Sequence, residues 1–300
     1  MGDFNNRRIK VGNALHKMRK NKKLSLSDFS DIGLSPSFLS RVENGESGIS
    51  LDRLYILLNK LDVSFTEFTN ETDLNTYLEF TTAYHTIKSA SYSQNLPELI
   101  TLLHMYQNLH HETRGSSYEH LALITEAQIN NFTSTNLSKY KIKKLSDHLF
   151  NIDIWYQYDL MLLAGTIRQL PLQTASVFVD DLFKKLDRQT TESMHTELIF
   201  QIISQLILMF IDYSDFSSAH RTIEHLGMVI KSSHQVHYST KTKLLFYKGI
   251  LQIISGHKNG IHQCQKAIEI INLLDDNQSI GLYYQKYLNN FSSCSHKHIP

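Results

Sequence analysis

Apolar residues in the first seventy positions recur at the three- and four-residue spacing of short amphipathic helices. The first such helix presents Ile9, Val11, Leu15 and Met18 on one side. It ends in the polar run Lys-Asn-Lys-Lys at residues 20–23. The pattern therefore predicts a helix close to the start of the chain.

Capping residues indicate the helix boundaries in the next stretch. Residues 25–28, Ser-Leu-Ser-Asp, form a capping-box variant that begins a second helix. Gly33 is placed to end this helix, because glycine takes the left-handed conformation at low cost. Ser35 is an N-cap followed by Pro36 at the first helical position, where the missing N–H costs nothing. We therefore predict a third helix over residues 36–43, closed by Asn-Gly.

Two more helices complete this first segment. Ser50 begins the fourth helix, and Ser64-Phe-Thr-Glu67 is a capping box that begins the fifth. The apolar stripe of the fourth helix consists of Leu51, Leu54, Leu58 and Leu61. Five short helices predict a compact all-α unit at residues 1–69. Its second and third helices, joined by a tight glycine-containing turn, predict a helix-turn-helix.

The chain from residue 77 to residue 300 has a different pattern, in which long apolar helices alternate with short polar turns. A polar linker at residues 70–76 precedes it. Three of its helices open at residues 173–175, 217–219 and 259–261, with spacings of 44 and 42 residues. Repeats of this length are typical of stacked helical hairpins that form a superhelix with a concave inner face. We predict an all-α array of about five tetratricopeptide-like hairpins, with less regular units near 77–110 and 118–149.

Basic residues are concentrated in the first unit. Residues 1–70 contain eleven Lys or Arg against eight Asp or Glu, and no acidic residue lies between Asp3 and Asp28. Such a block on a small unit is typical of a surface that binds nucleic-acid phosphates. A solvated basic helix is the alternative.

One motif is specific enough to indicate a class of protein. The run LSPSFLSRVENG at residues 34–45, followed by Leu54 and by Leu-Asp-Val at residues 61–63, resembles the Xre/Cro phage-repressor class of helix-turn-helix domains. In a helix-turn-helix the second helix lies in the major groove of DNA, with its N-terminal residues against base edges. The resemblance implies that double-stranded DNA is a partner.

The outward face of the third helix supplies the candidates for base contacts, since Leu39 and Val42 are expected in the core. These candidates are Ser35, Ser37, Phe38 and Arg41. Phe38 would pack on a thymine methyl group and Arg41 would bind a guanine edge, although an ion pair with Glu43 or Asp31 is the alternative for Arg41. We expect Glu43 to brace the motif internally. Candidates for phosphate contacts are Arg19, Lys20, Lys22, Lys23, Ser27 and Asn44.

The combination of the two units carries a second resemblance. A repressor-type head followed by a tetratricopeptide-like array resembles the peptide-responsive regulators of Gram-positive bacteria. The head and the segment IWYQYDLMLL at residues 154–163 are similar to the Rgg/MutR/GadR family. The resemblance implies a sequence-specific transcriptional regulator and quorum-sensing receptor. It also implies a homodimer, a pseudo-palindromic promoter site and a short signalling peptide in the concave groove. A two-fold site agrees independently with pairing of two small DNA-binding units.

Polar residues that interrupt the apolar faces of the middle helices are candidates for peptide binding. An extended peptide needs hydrogen-bond partners for its backbone together with apolar pockets. The candidates are Arg168, Gln201, Ser204 and Gln205, with the aromatic neighbours Trp155, Tyr158 and Phe200. The alternative for the aromatic residues is a place in the hairpin core. For the residues at 201–205 the alternative is an outward polar stripe or a dimer contact.

Histidine and cysteine residues indicate no cofactor. The sixteen histidines include the pairs His110/His111, His234/His237 and His296/His298. No paired carboxylate or cysteine completes a metal site beside them, so we expect neither a metal nor another cofactor. A pH-dependent role for histidine is left open. The two cysteines, Cys264 and Cys294, cannot build a disulfide framework.

Other classes of function are less well supported by the sequence. No GxSxG, Walker, GxGxxG or HExxH motif occurs, so we expect no enzyme. A helical-repeat interaction scaffold, or an antitoxin-like protein that uses the head for dimerisation, is the alternative to a DNA regulator. No signal-peptide core and no run of about 18 apolar residues occurs, which predicts a cytoplasmic protein without a membrane partner.

Overall fold

The computed structural model describes residues 2–72, 76–188, 195–232, 237–257, 259–274 and 279–295. In these ranges the regular elements are α-helices and two short 3₁₀ helices, without a β-strand, which confirms the all-α prediction. The chain divides into two compact units, Met1–Phe80 and Thr81–Pro300.

The first unit contains the five predicted helical segments, and one of them differs in type. The four α-helices are α1 (Gly2–Asn21), α2 (Pro36–Glu43), α3 (Leu51–Lys60) and α4 (Phe65–Thr72). The segment between α1 and α2, Leu26–Ile32, is a 3₁₀ helix instead of the predicted α-helix. The segment is short, and a hydrogen bond fixes each of its ends. Ser25 N donates to Asp28 Oδ2 at 2.6 Å, and Gly33 N donates to the carbonyl oxygen of Ser30.

The predicted caps shape the ends of the other helices. The side chain of Ser35 accepts a hydrogen bond from Phe38 N at 3.2 Å, with Pro36 at the first position of α2. Ser64 and Glu67 form a full capping box before α4, because each accepts from the backbone N–H of the other. These local bonds fix where the chain enters α2 and α4.

The core of the first unit draws apolar residues from every helix. It includes Leu15 from α1, Phe29 from the 3₁₀ helix and Leu39 and Val42 from α2. The predicted stripe of α3 is wrong at one position, since Leu51 lies in the first turn with its side chain 68% exposed. The other stripe members are buried, namely Leu54, Leu58 and Leu61.

A glycine brings α1 directly onto the end of α2. A Cβ atom at Gly12 would lie 2.4 Å from the carbonyl oxygens of Val42 and Glu43. The absence of a side chain at this point lets the two backbones touch, which fixes the orientation of α2 within the unit.

The described residues of the second unit form a succession of helices. Its helices are α5 (Thr76–Tyr92), α6 (Leu96–Thr113), α7 (Ser116–Thr133), α8 (Lys139–Phe150), α9 (Gln157–Thr166), α10 (Leu172–Arg188), α11 (Thr196–Asp212), α12 (Phe216–Ser232), α13 (Tyr238–Ile254), α14 (Asn259–Leu274) and α15 (Ser279–Ser295). A 3₁₀ turn, Ile167–Gln169, follows α9, and the residues of α5 before Thr81 belong to the first unit.

The predicted repeat is present in this unit. Helices α10, α12 and α14 begin within one residue of the three predicted places. Long helices, α11 and α13, precede α12 and α14, whereas α10 follows the ten-residue α9 and a 3₁₀ turn. Successive helices α10 to α15 pack on their neighbours in chain order, as expected for stacked hairpins. Of the predicted linker, residues 70–72 end α4 and residues 73–75 lie outside the described residues. The domain boundary therefore stays a prediction.

Close backbone approach explains the extensive contact between α13 and α14. A Cβ atom at Gly249 would lie 2.6 Å from Cys264 Sγ and 2.9 Å from the carbonyl oxygen of Gly260. Cys264 is buried in this contact, and burial raises the pKa of its thiol to about 12. The thiol is therefore a packing group at neutral pH. The side chain of Cys294 lies outside the described residues.

Candidate functional site

The exposed face of α2 carries the predicted base-contacting residues. Ser35, Ser37 and Arg41 are exposed, while Phe38 is half-buried against the core of the first unit. Arg41 has no side-chain partner among the described residues. A guanidinium without a protein partner, on the second helix of a helix-turn-helix, is the kind of group that binds a guanine edge or a phosphate.

The alternative ion pairs for Arg41 are already occupied. Glu43 accepts two hydrogen bonds from Arg19, and Asp31 accepts from Lys60 Nζ at 2.6 Å. Both acids named as alternative partners of Arg41 therefore pair with other cations. The geometry leaves Arg41 available to a partner molecule.

The prediction that Arg19 contacts phosphate is wrong. Its side chain is buried, with Nε and Nη2 each 2.6 Å from a carboxylate oxygen of Glu43. Nη1 donates to the carbonyl oxygen of Leu24 at 2.8 Å, and His16 Nδ1 lies 2.7 Å from the same carboxylate. All three guanidinium nitrogens are used inside the protein, so Arg19 holds α1 against α2.

Glu43 braces the motif from within, as predicted. Burial by itself would raise the pKa of Glu43, but the hydrogen bonds from Arg19 and His16 outweigh burial and hold the pKa below its usual value. The carboxylate is therefore charged at neutral pH, and it ties the last residue of α2 to α1.

The remaining phosphate candidates are exposed around α2. They are Lys20, Lys22, Lys23, Ser27 and Asn44. Their exposure is compatible with phosphate contacts, which stay a prediction for each residue.

Arg53 is a residue of this face that the sequence analysis missed. It lies on α3, and its guanidinium carbon is 4.8 Å from the centroid of the Phe38 ring. A cation over an aromatic face is attracted by the ring electrons. One face of the Phe38 ring is therefore covered by the guanidinium of Arg53. In the sequence, Arg53 is a single arginine in the first turn of α3, and nothing in its position predicts a contact with Phe38.

A cavity of about 610 Å³ lies within the second unit. Helices α5, α7, α11, α13, α14 and α15 contribute to its wall, together with the 3₁₀ turn after α9. Four of the predicted peptide-binding residues line it, namely Arg168, Gln201, Ser204 and Gln205. A concave site of this size with convergent polar groups is typical of a ligand-binding site.

The three predicted aromatic residues do not line this cavity. Trp155 and Phe200 are buried in the hairpin core, where Trp155 Nε1 donates to Asp181 at 3.0 Å. Phe200 packs edge-on against His237. Tyr158 has its hydroxyl 2.7 Å from His120 Nδ1. Trp155 and Phe200 thus fit the alternative that the sequence left open, a place in the hairpin core, and peptide contacts by the three residues stay a prediction.

Other aromatic residues take their place in the cavity wall. The wall includes Tyr92, Tyr247, Tyr283, Tyr284 and Tyr287. Most of them lie on α15, a helix to which the sequence analysis assigned no site residue. Their contribution depends on long-range packing of α15 against α5 and α13, for which the local sequence carries no signal.

Several histidines surround a second, smaller cavity of about 380 Å³ between α6, α7 and α8. These histidines are His110, His111, His120 and His148. Burial, with a smaller effect of nearby His148, lowers the pKa of His120 to about 4. His120 is therefore neutral at physiological pH. The described residues contain no group of three or more His, Cys, Asp or Glu arranged to hold a metal ion. His234, His296 and His298 lie outside the described residues.

Comparison with known families identifies the chain. Residues 103–286 match the family described as HTH-type transcriptional regulator Rgg, C-terminal domain, which is more than half of the chain. The chain belongs to the Rgg family of HTH-type transcriptional regulators. Residues 15–68 also match a helix-turn-helix family. Both resemblances inferred from the sequence are thus confirmed. Most residues that line the cavity lie within the region of the Rgg match, whereas Lys88, Tyr92 and a few others lie just outside it.

Solved structures share this fold over nearly the whole chain. The Streptococcus dysgalactiae SHP pheromone receptor Rgg2 is 23% identical, with a TM-score of 0.73 over 93% of this chain and 99% of that chain. A Listeria monocytogenes EGD-e protein is 17% identical, with a TM-score of 0.76 over 97% and 99%. The PrgX/iCF10 complex is 16% identical, with a TM-score of 0.71 over 97% and 99%. In the described part of this Rgg-family chain, no helix is long and apolar enough to cross a membrane.

Proposed function

We propose that this Rgg-family protein is a sequence-specific DNA-binding regulator whose activity is controlled by a short peptide bound in the 610 Å³ cavity. The observation that carries the proposal is a cavity lined by polar and aromatic groups in the repeat unit of a chain with a helix-turn-helix head. Two relatives of the same fold support it, since one is described as a pheromone receptor and another as a PrgX/iCF10 complex.

Reading of DNA is assigned to the exposed face of α2. Ser35, Ser37 and Phe38 lie towards the start of the helix, where a recognition helix meets base edges, and Arg41 follows one turn later. The exposed lysines at residues 20, 22 and 23 supply phosphate contacts. The protein acts as a cytoplasmic homodimer on a pseudo-palindromic site, because one such head buries too little surface to bind a single site tightly. No catalytic step is part of the proposal.

The salt dependence of DNA binding tests the first half of the proposal. Fluorescence anisotropy is measured with a labelled duplex from upstream of the gene and with a scrambled duplex, between about 50 and 200 mM salt. We expect the affinity for the upstream duplex to fall steeply with salt. Lys20→Gln combined with Lys22→Gln should reduce the slope by about 2. Lys231→Gln, an exposed change on α12, is the matched control and should leave the slope unchanged.

The competing function of a protein scaffold predicts a different result. A scaffold would bind the upstream and scrambled duplexes with equal, weak affinity, and the double variant would behave like the control. That result would overturn the assignment of the head to DNA.

A further inference from the structure

The wall of the large cavity is positively charged. Its described lining residues include Lys88, Arg168, Lys243 and Lys286, and none of them is Asp or Glu. These cations lie on α5, the 3₁₀ turn, α13 and α15, so the fold brings them together from distant parts of the chain. A cavity with low-dielectric walls and one sign of charge attracts ligands of the opposite charge.

Only one of the two terminal nitrogens of Arg168 has a hydrogen-bond partner among the described residues. Its Nη2 donates to Asp212 Oδ2 at 2.6 Å, and Tyr287 donates to the other oxygen of the same carboxylate at 2.7 Å. Nη1 of Arg168 is buried and has no hydrogen-bond partner among the described residues. A buried donor without a partner is destabilising, so one is seldom kept unless a ligand or a water completes it.

Lys88 and Lys243 have no carboxylate within salt-bridge distance in the described residues. Burial, with smaller effects of nearby Lys243 and Arg168, lowers the pKa of Lys88 to about 8. Burial also lowers the pKa of Lys243, which is partly offset by Glu197 on α11. The side chains of Lys88, Arg168 and Lys243 all line the same cavity.

Several lysines elsewhere in the protein have a carboxylate partner. Lys60, Lys141 and Lys248 each form an ion pair with a carboxylate, at 2.6, 2.5 and 2.9 Å. In the cavity, Lys88 and Lys243 lose solvation without an ion pair, and Arg168 pairs with Asp212 through Nη2 only. A bound anion would remove this penalty.

We propose that the cavity recognises a carboxylate of its ligand, which is held between Lys88, Arg168 and Lys243. This inference rests on the proposed function and adds the charge class of the peptide. The carboxylate is either the free C-terminus or an Asp or Glu side chain. The Nη1 donor of Arg168 and the two ammonium groups supply charge-assisted hydrogen bonds to it. The tyrosines and amides of the wall contact the uncharged remainder of the peptide.

Three synthetic pools of octapeptides test this inference. All are N-acetylated and built from Ala, Leu, Ile, Val, Phe, Gly, Ser, Asn and Gln. The first pool is amidated at the C-terminus and uncharged, the second has a free C-terminal carboxylate, and the third is amidated with one Asp at varied positions. Each pool is incubated with the full-length protein, and the retained peptides are quantified by mass spectrometry after gel filtration.

We expect the second or the third pool to be retained about tenfold more than the first, the factor expected from one charge-assisted hydrogen bond. The pool that is enriched identifies the source of the carboxylate. Equal retention of all three pools would overturn the inference and leave peptide binding intact. Retention of none would overturn both the inference and the proposed peptide control.

Variants show whether the named cations carry the preference. Lys88→Met and Lys243→Met should each reduce the preference for charged pools to below about threefold. Lys241→Met changes an exposed lysine on the same helix as Lys243, outside the cavity wall, and is the matched control. A preference that survives in both cavity variants, or that is lost equally in the control, would overturn the assignment to these residues.

Discussion

Replacement of Arg19 by methionine tests the buried ion pair that fixes the recognition helix. The change removes both hydrogen bonds to Glu43 and the one to Leu24, but it keeps a long side chain in the space. It leaves a carboxylate that is only 6% exposed, with His16 as its remaining partner. Removal of one member of a buried pair typically costs about 3–5 kcal/mol. Because His16 remains, we expect the lower end of that range.

Hydrogen exchange is the appropriate assay, because it reports the two units separately. Amide exchange in peptides that cover α1 and α2 gives the opening free energy of the first unit. The fluorescence of Trp155, the only tryptophan of the chain, reports the second unit and should not change. Lys20→Met, an exposed neighbour of Arg19, is the control and should change stability by less than about 0.5 kcal/mol.

A double variant separates the cost of the unpaired Glu43 charge from the cost of the packing lost with the Arg19 side chain. In Arg19→Met combined with Glu43→Leu no charge is left buried, so the combined loss should be smaller than the loss in Arg19→Met alone. If Arg19→Met opened the first unit no more than Lys20→Met, or weakened DNA binding while its stability was unchanged, Arg19 would be a surface phosphate contact and the packing described above would be refuted.

The remaining predictions concern the DNA-binding face, the cavity and the packing of the second unit. Arg41→Ala should weaken binding to the upstream duplex by about 1–3 kcal/mol and relax the preference at one base position, as measured by anisotropy with substituted duplexes; unchanged affinity and preference would exclude a base contact. Binding of a carboxylate-bearing peptide should be full below pH 8 and weaken as the pH rises through the pKa of Lys88, because the bound anion favours the charged ammonium. Calorimetric titration of the protein with the peptide at several pH values should show this loss of affinity in the wild type and not in Lys88→Met. The same pH profile in both proteins would assign the loss of affinity to another group. Gly249→Ala should destabilise the second unit by about 1–3 kcal/mol in urea unfolding followed by fluorescence, since the new Cβ would meet Cys264 Sγ at 2.6 Å; no change would show that α14 can move away.

Local signals allowed much of the fold to be predicted from the sequence. Caps such as Ser35-Pro36 and Ser64–Glu67 act within four residues, so their positions and partners could be identified directly. The repeat openings were also visible, since each begins after an interruption of an apolar run. The exposure of Leu51 and the 3₁₀ form of the segment Leu26–Ile32 could not be predicted, because they depend on how the segments pack.

The sites were harder to predict because they depend on contacts between distant positions. Arginine is usually exposed, so the sequence predicts a surface position for Arg19. Arg19 is buried because it pairs with Glu43, which lies 24 positions later in the chain. The polar residues Gln201 and Gln205 were predicted to face the ligand because they interrupt an apolar face. Nothing in the sequence distinguishes Lys88 and Lys243 from exposed lysines. The tertiary fold brings both of them to one cavity.

Coupling between the cavity and the head tests the central claim most directly. The measurement is the affinity of the full-length protein for its upstream duplex with and without a saturating concentration of the most strongly retained octapeptide. We predict that the peptide changes this affinity by at least about fivefold, and that Lys88→Met removes the change while the affinity of the ligand-free protein stays the same. A peptide that binds the cavity and leaves DNA affinity unaltered would contradict the account.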